Sequence, residues 1–184
     1  MTGFRLRLTG PQGQRYALGE PIEVYDDATL IGRVHSVTVS ADGMEVLAEN
    51  FLTVNFAEFR SAGLPRLVLA EVVNFIIESF PAIHTIGLEL SRDIEGYEGR
   101  EAMLAGARTE ILQSIGAQGV MVTPKPVAGR AGHFAVTGVW HYDRQSLALL
   151  SSTLAAQRAA YQASRKPADP PPRPPRGFGR GFRK

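Results

Sequence analysis

The chain has 184 residues, 44% of them hydrophobic, a formal net charge of +2 and no cysteine. That is enough to bury a core in one compact domain, and it excludes disulfides, thiolate metal sites and a cysteine nucleophile. His35, His84, His133 and His141 lie far apart, with no two at a metal-ligand spacing, so no metal site is expected.

In chain order, Phe4, Leu6 and Leu8 alternate with Arg5, Arg7 and Thr9, the two-residue period of a short half-buried strand. No continuous apolar stretch here could serve as a secretion signal or span a bilayer, so a cytoplasmic protein without a transmembrane segment is expected. After the breaks at "GPQG" and "LGEP", "PIEVYDDATLIGRVHSVTV" reads as two strands joined at Asp26 and Asp27. "MEVLAENFLTV" supplies another strand after the Asp42-Gly43 turn, giving an antiparallel meander.

Past Pro65 the period changes. Leu67, Leu69, Val72, Val73, Ile76, Ile77 and Phe80 fall at helical spacings, with Pro65 in the first turn and Pro81 just beyond the end. Almost the whole circumference is apolar, which predicts a well-buried helix. "HTIGLELS" follows as a strand, then an acidic, glycine-containing loop, then "REAMLAGARTEILQSIGA" as an amphipathic helix ending near Gly116. "QGVMVTP" and "GHFAVTGVWHYD" read as two closing strands. A last helix, "RQSLALLSSTLAAQRAAYQASR", aims Leu147, Leu150, Leu154 and Tyr161 at a partner surface, either the domain itself or a second copy of the chain. The fold class is mixed α/β, a single central, mostly antiparallel sheet flanked by helices and covered on both faces, with a C-terminal helix and a disordered basic tail.

Charge divides the chain. From Arg165 onward seven basic residues face one acid, Asp169, a net of +6 that leaves the first 164 residues at −4. The expected organisation is a domain over residues 1–143, the helix over 144–165 and a Pro/Arg/Gly-rich tail over 166–184. "PPPRPPR" favours a polyproline helix and matches proline-rich ligands of SH3-like domains. "RGFGRGFRK" interleaves arginine with Phe178 and Phe182, a pattern for single-stranded nucleic acid or another polyanion; a merely solubilising tether reads the same composition.

One stretch suggests chemistry directly. "NFAEFRSAGLPRLVLAEVV" runs from Asn55 to Val73 and leads a loop into the buried helix. A helix entrance presents N–H groups without internal acceptors, and its dipole adds partial positive charge, so a diphosphate fits there. Gly63 would let the backbone approach closely, and Arg60 and Arg66 would add charge-assisted bonds. The alternative is a plain turn before a core helix.

Taken with the order of elements, the motif Arg60-Ser61-Ala62-Gly63-Leu64 resembles that of the GNAT acyltransferase superfamily, over roughly residues 20–142. That family's pattern is a strand, an arginine or glutamine, two residues, a glycine, one residue, and a glycine or alanine, followed by a buried helix, a strand and an amphipathic helix. The resemblance implies acetyl-CoA or a longer acyl-CoA, with Arg60, Ser61, Ala62, Gly63, Leu64 and Arg66 around the diphosphate. It also implies Thr53, Val54 and Asn55 pairing with the pantetheine arm. Three features depart from the pattern: Pro65 stands at the second glycine or alanine, Leu112 where many members carry an acid tyrosine, and only about a dozen residues join the first two strands, where the family inserts two helices.

Acyl transfer to an amine needs a base and an acid. Glu49, which shares a strand face with Glu45, is the preferred base, directly or through a water. Tyr142 or His141 would replace the missing acid, with Glu89 and His84 as lesser candidates. A GNAT-like acyl-CoA-binding N-acyltransferase is one reading. The other is a non-catalytic scaffold that joins a protein partner, a homodimer mate or a nucleic acid through its C-terminal helix and tail.

Overall fold

The computed structural model of the chain describes residues 6–53, 63–91, 101–124 and 134–164. The alternating N-terminal segments pair as expected. β1 (Arg7–Thr9), β2 (Ile22–Asp26), β3 (Thr29–Val39) and β4 (Glu45–Thr53) are consecutive antiparallel neighbours. Positive φ at Asp27 and Gly43 turns the two tight connections. After α1 (Leu64–Ser79), β5 (Thr85–Ser91) lies parallel to β4. α2 (Glu101–Ser114), β6 (Gln118–Pro124), β7 (Phe134–His141) and α3 (Arg144–Ser164) follow. The sheet order is β1-β2-β3-β4-β5-β7-β6, with β4 and β5 as its parallel pair.

Core residues on the central strands define one face. Val46, Ala48, Ile86, Leu88 and Trp140 are at most 2% exposed, and strand register lines up Val46, Ile86 and Trp140 side by side. Their neighbours along each strand point the other way, and there Leu47 is 41% exposed between Glu45 and Glu49. The expectation of a sheet covered on both faces is therefore corrected for the described residues: their helices pack on one face. The reason lies in the 12 residues between β1 and β2, which hold only the short turn Pro11–Gly13 and no helix to cover the second face.

α1 is the centre of the covered face. Val72, Val73 and Ile76 are fully buried, and burial of each such side chain is worth roughly 1.5–3 kcal/mol. Tyr16 stacks edge-on against Phe75 and Phe80, and burial pushes its hydroxyl pKa up to about 12. α2 ends in a Schellman turn: the Ala117 N–H donates to the Leu112 carbonyl over 3.1 Å, around Gly116 at φ 89°. Leu112, where an acid tyrosine would stand, is itself fully buried.

α3 spends its apolar stripe inside the chain, with Leu150, Leu154 and Tyr161 all buried. Its start is tied to the end of α2 by Ser146 Oγ donating to the Gly116 carbonyl (3.1 Å) and Thr153 Oγ1 donating to the Ser114 carbonyl (2.5 Å). Farther on it crosses α1, where Arg158 makes a bidentate pair with buried Glu71 at 2.6 and 2.7 Å. The Tyr161 hydroxyl then donates to Asp26 over 2.9 Å.

Asp143 caps α3. The Ser146 N–H donates to its carboxylate over 2.7 Å, and that bond holds the Asp143 pKa below the ordinary 3.8. A depressed carboxylate stabilises the fold above its unfolded-state pKa, and the contribution is lost as pH falls through the folded value. Asp143→Ala is therefore expected to lower the melting temperature at pH 7, and the gap to wild type should narrow at pH 3. A gap that stays constant from pH 7 to pH 3 would deny the cap its charge.

Candidate functional site

The site is built by two strands that part. β4 and β5 are paired from Glu45 with Thr85 to Glu49 with Glu89. Beyond that, Phe51 to Thr53 remain bonded to β3 and Leu90 to Ser91 remain bonded to β7. Each strand thus follows its outer neighbour, and a gap opens between them at the carboxyl end of the parallel pair.

Asn50 lies one residue beyond the last paired rung of β4 and β5. It takes the left-handed conformation at φ 57°. Val34 and Val37 are both buried although they are three residues apart. The register of β3 with β4 is the same on both sides of Asn50.

At this same end begins α1. Gly63 is its cap residue at φ 115° and has no side chain to cap the helix, and the first intrahelical bond runs from the Leu67 N–H to the Gly63 carbonyl over 2.9 Å. The N–H groups of the first turn have no acceptor within the helix, and Pro65 contributes none. Arg66 adds a guanidinium whose Nε is buried without a hydrogen-bond partner and whose Nη2 lies 4.0 Å from Glu110 on α2. First-turn N–H groups without intrahelical acceptors, a glycine at the cap and a guanidinium nitrogen without a partner are the kind of donors that could hold a diphosphate.

That seat has a neighbour from within the chain. A Cβ built on Gly63 would run into Gln157 Oε1 of α3, so the Gln157 carboxamide stands over the helix entrance. Nothing in the sequence pattern pointed to Gln157, because the contact joins residues 94 positions apart.

The other expected residues divide. Gly63, Leu64 and Arg66 come together at the start of α1, with Leu64 buried in the core. Thr53 closes β4 at the parted end. Val54, Asn55, Arg60, Ser61 and Ala62 lie outside the described residues, as does His133.

Glu49 and Glu89 are register partners at the last rung before the gap, both half-buried, and the Ser36 hydroxyl donates to Glu49 Oε2 over 3.3 Å. Glu45 pairs with Thr85 at the other, closed end of the two strands. Tyr142 and His141 also belong to the closed end. Tyr142 is 52% exposed, its N–H donates to the His84 carbonyl, and its ring stacks edge-on to His84. His141 faces Thr85 across β5 and β7. Four residues of strand, roughly 13 Å, separate that rung from Glu49 and Glu89. The structure thus does not bring Tyr142, His141 or His84 to the gap. Among the described residues no group of three or more His, Asp or Glu side chains could hold a metal ion.

A mostly antiparallel sheet whose single parallel pair splays open beside the start of a buried crossover helix is the fold of the GNAT acetyltransferases. No family model and no curated protein matches the chain. Among solved structures, mutant forms of the spermidine/spermine N-acetyltransferase SpeG from Vibrio cholerae share 11% identity, covering 73% of this chain and 93% of theirs, with a TM-score of 0.50. A dodecameric spermidine N-acetyltransferase from Vibrio cholerae matches at 13% identity over 67% of this chain and 65% of its own, with a TM-score of 0.47. Nourseothricin acetyltransferase matches at 17% over 73% and 81%, with a TM-score of 0.42. At these identities the likeness is one of fold, and it rests on the first of the three.

Proposed function

We propose that this chain binds an acyl-CoA between β4 and β5 and transfers the acyl group to an amine that approaches across the uncovered face of the sheet. The observation that carries the reading is the parting of β4 and β5 beyond Glu49 and Glu89, at the end where α1 begins. Arg60, Ser61, Ala62, Gly63, Leu64 and Arg66 would hold the diphosphate, and Thr53, Val54 and Asn55 would pair with the pantetheine arm. The thioester supplies an activated acyl group.

The chain's own part is placement and proton handling. Glu49 would take a proton from the ammonium acceptor, directly or through a water; the freed amine then forms the C–N bond as the thioester C–S bond breaks, and the departing thiolate takes its proton from solvent. Glu49 and Glu89 together make the mouth acidic, which draws a cationic amine and holds it near the gap. The connection between β1 and β2 holds no helix to wall the acceptor side, which favours extended or macromolecular amines over small enclosed ones.

The test is release of free CoA thiol from acetyl-CoA and from a longer acyl-CoA, with a panel of diamines and lysine peptides as acceptors. Loss of a general base costs typically about 10²–10⁴-fold, so Glu49→Gln is expected to lower kcat/KM by at least about 100-fold. Thiol release no faster than spontaneous hydrolysis across the panel would reject the transferase reading. It would favour a scaffold.

The basic tail beyond residue 165 is proposed as an arm for nucleic acid or another polyanion. Deletion of residues 166–184 is expected to abolish salt-sensitive retention on heparin while leaving the melting temperature unchanged. Equal retention by the full and shortened chains would assign the attraction elsewhere.

A further inference from the structure

We propose that the C-terminal segment from Arg176 to Phe182 docks along the exposed side of β4 in the same chain, with Arg176 at Glu49, Phe178 against Leu47 and Gly87, and Arg180 at Glu45. The strand presents a fixed alternation there: Glu45 and Leu47 are exposed and Glu49 is half-buried, while Val46 and Ala48 between them point into the core. Leu47 pairs in register with Gly87 of β5, and a Cβ on that glycine would meet Leu47 Cδ1 at 3.0 Å, so the Leu47 side chain lies beside bare backbone. The register partners of Leu47 and Glu49 on β3 and β5 are Thr38, Gly87, Ser36 and Glu89, none of them basic. Along β4 the face therefore reads acidic, apolar, acidic.

The tail carries the matching pattern. Arg176, Phe178, Arg180 and Phe182 fall two apart, separated by glycines. In an extended segment, side chains two apart share one side at intervals of about 7 Å, the same interval that separates Glu45, Leu47 and Glu49 on β4. Each arginine then meets a carboxylate, for which its planar fork is suited, and the phenylalanine between them covers Leu47. The charges agree at the scale of the whole chain as well, a tail at +6 against a body at −4.

α3 delivers the tail to the right end of the sheet. Tyr161, in its last turn, bonds Asp26 at the close of β2, and Asp26 pairs with Thr29 at the start of β3. That connection lies at the end of the sheet where β4 finishes, two strands away. From there to Glu49 is roughly 25 Å along the strands, and about 10 Å both across them and through the sheet. The 11 residues from Arg165 to Pro175 include six prolines and, at about 3.1 Å each, span about 34 Å. Arriving from that end, the segment runs antiparallel to β4, which sets Arg176 at Glu49 and Arg180 at Glu45. Exposed ion pairs are individually weak, but the tether holds the segment at an effective concentration on the order of millimolar, so a weak match suffices. The inference stands apart from the transferase reading; where that reading holds, the docked segment occupies the acceptor side, and a polyanion would compete for the same arginines.

The chain has no cysteine, so Gly179→Cys places a single nitroxide label in the full-length protein, and amide NMR reads which residues it approaches. At low salt the amide signals of Leu47 and Gly87 are expected to be lost through paramagnetic broadening and to return when the label is reduced. Adding Arg176→Glu and Arg180→Glu, which leaves the body of the fold untouched, should restore both signals with the label oxidised. Adding Glu45→Arg and Glu49→Arg to that protein should broaden them again, because the charges then match in reverse; the tail substitutions decide the matter alone if the swapped protein melts below wild type. Loss, return and renewed loss in that order support the inference. Signals of Leu47 and Gly87 that persist in the labelled chain, that are lost equally with and without the tail substitutions, or that stay sharp in a folded swapped protein overturn it. Broadening that an isotope-enriched chain shows only from the label of a second chain also overturns it, by placing the tail on a neighbouring copy.

Discussion

Gly116→Ala is expected to be the most damaging conservative substitution in the chain, at about 2–5 kcal/mol. Two independent effects add. Gly116 sits at φ 89°, a conformation that costs an L-residue about 1–2 kcal/mol. A Cβ there would also come within 2.8 Å of the Ser146 Cα and 3.3 Å of its carbonyl oxygen. Both are backbone atoms of α3, so no side-chain rotation relieves the contact and the first turn of α3 must move. That shift strains the Ser146 bond to the Gly116 carbonyl and loosens the point where α2 and α3 meet. For a chain of this length the melting temperature should fall by roughly 5–15 °C. A fall under about 2 °C would mean that the junction of the two helices is far softer than these distances imply.

The second large effect is expected from Arg158→Ala. Glu71 is 3% exposed in the middle of α1, and Arg158 is its bidentate partner. Removing the guanidinium leaves a carboxylate in the core without its counter-charge. Breaking a buried pair in this way costs about 3–5 kcal/mol, discounted here to about 2–4 because 23% of the Arg158 side chain meets water. The remedy distinguishes charge from packing. In the double variant Glu71→Leu with Arg158→Met, the desolvation of both ions disappears and stability should return to near or above wild type. If the double variant is as unstable as Arg158→Ala, the pair holds α3 by shape and the ionic account is wrong.

Much of this architecture is legible in the sequence, for identifiable reasons. The two-residue alternation of β1 to β4 and the all-round apolar pattern of α1 are local signals, and each element formed where its period placed it. Pro65 and Pro81 bracket α1, and Gly116 ends α2, because those residues act through backbone geometry alone. Leu150, Leu154 and Tyr161 mark the buried stripe of α3. They do not say what it packs against, and the answer, α1 and the edge of β2, depends on the Arg158 and Tyr161 contacts across the fold.

The site was less legible. Gly63 and Arg66 carry a recognisable pattern, but where β4 and β5 cease to pair is set by long-range register with β3 and β7, which no local pattern announces. Tyr142 was misplaced for a reason that sequence could have supplied. β7 runs antiparallel to β5, so its carboxyl end lies where β5 starts, at the closed end of the pair. The single layer of helices over the described sheet follows from the connection between β1 and β2, which is too short to hold a covering helix beside the turn Pro11–Gly13.

The most direct test of the central claim is calorimetric titration of acetyl-CoA into the wild type and into Arg66→Glu. The Arg66 guanidinium, with its buried and unpartnered Nε, lies at the start of α1, so reversing its charge should act on a diphosphate and little on the fold. The account predicts saturable binding to the wild type and an affinity at least about tenfold lower in the variant, since a charge-assisted bond is worth about 1.5–3 kcal/mol and a repulsion is added. Equal affinity in the two proteins, or no binding to the wild type, would contradict it.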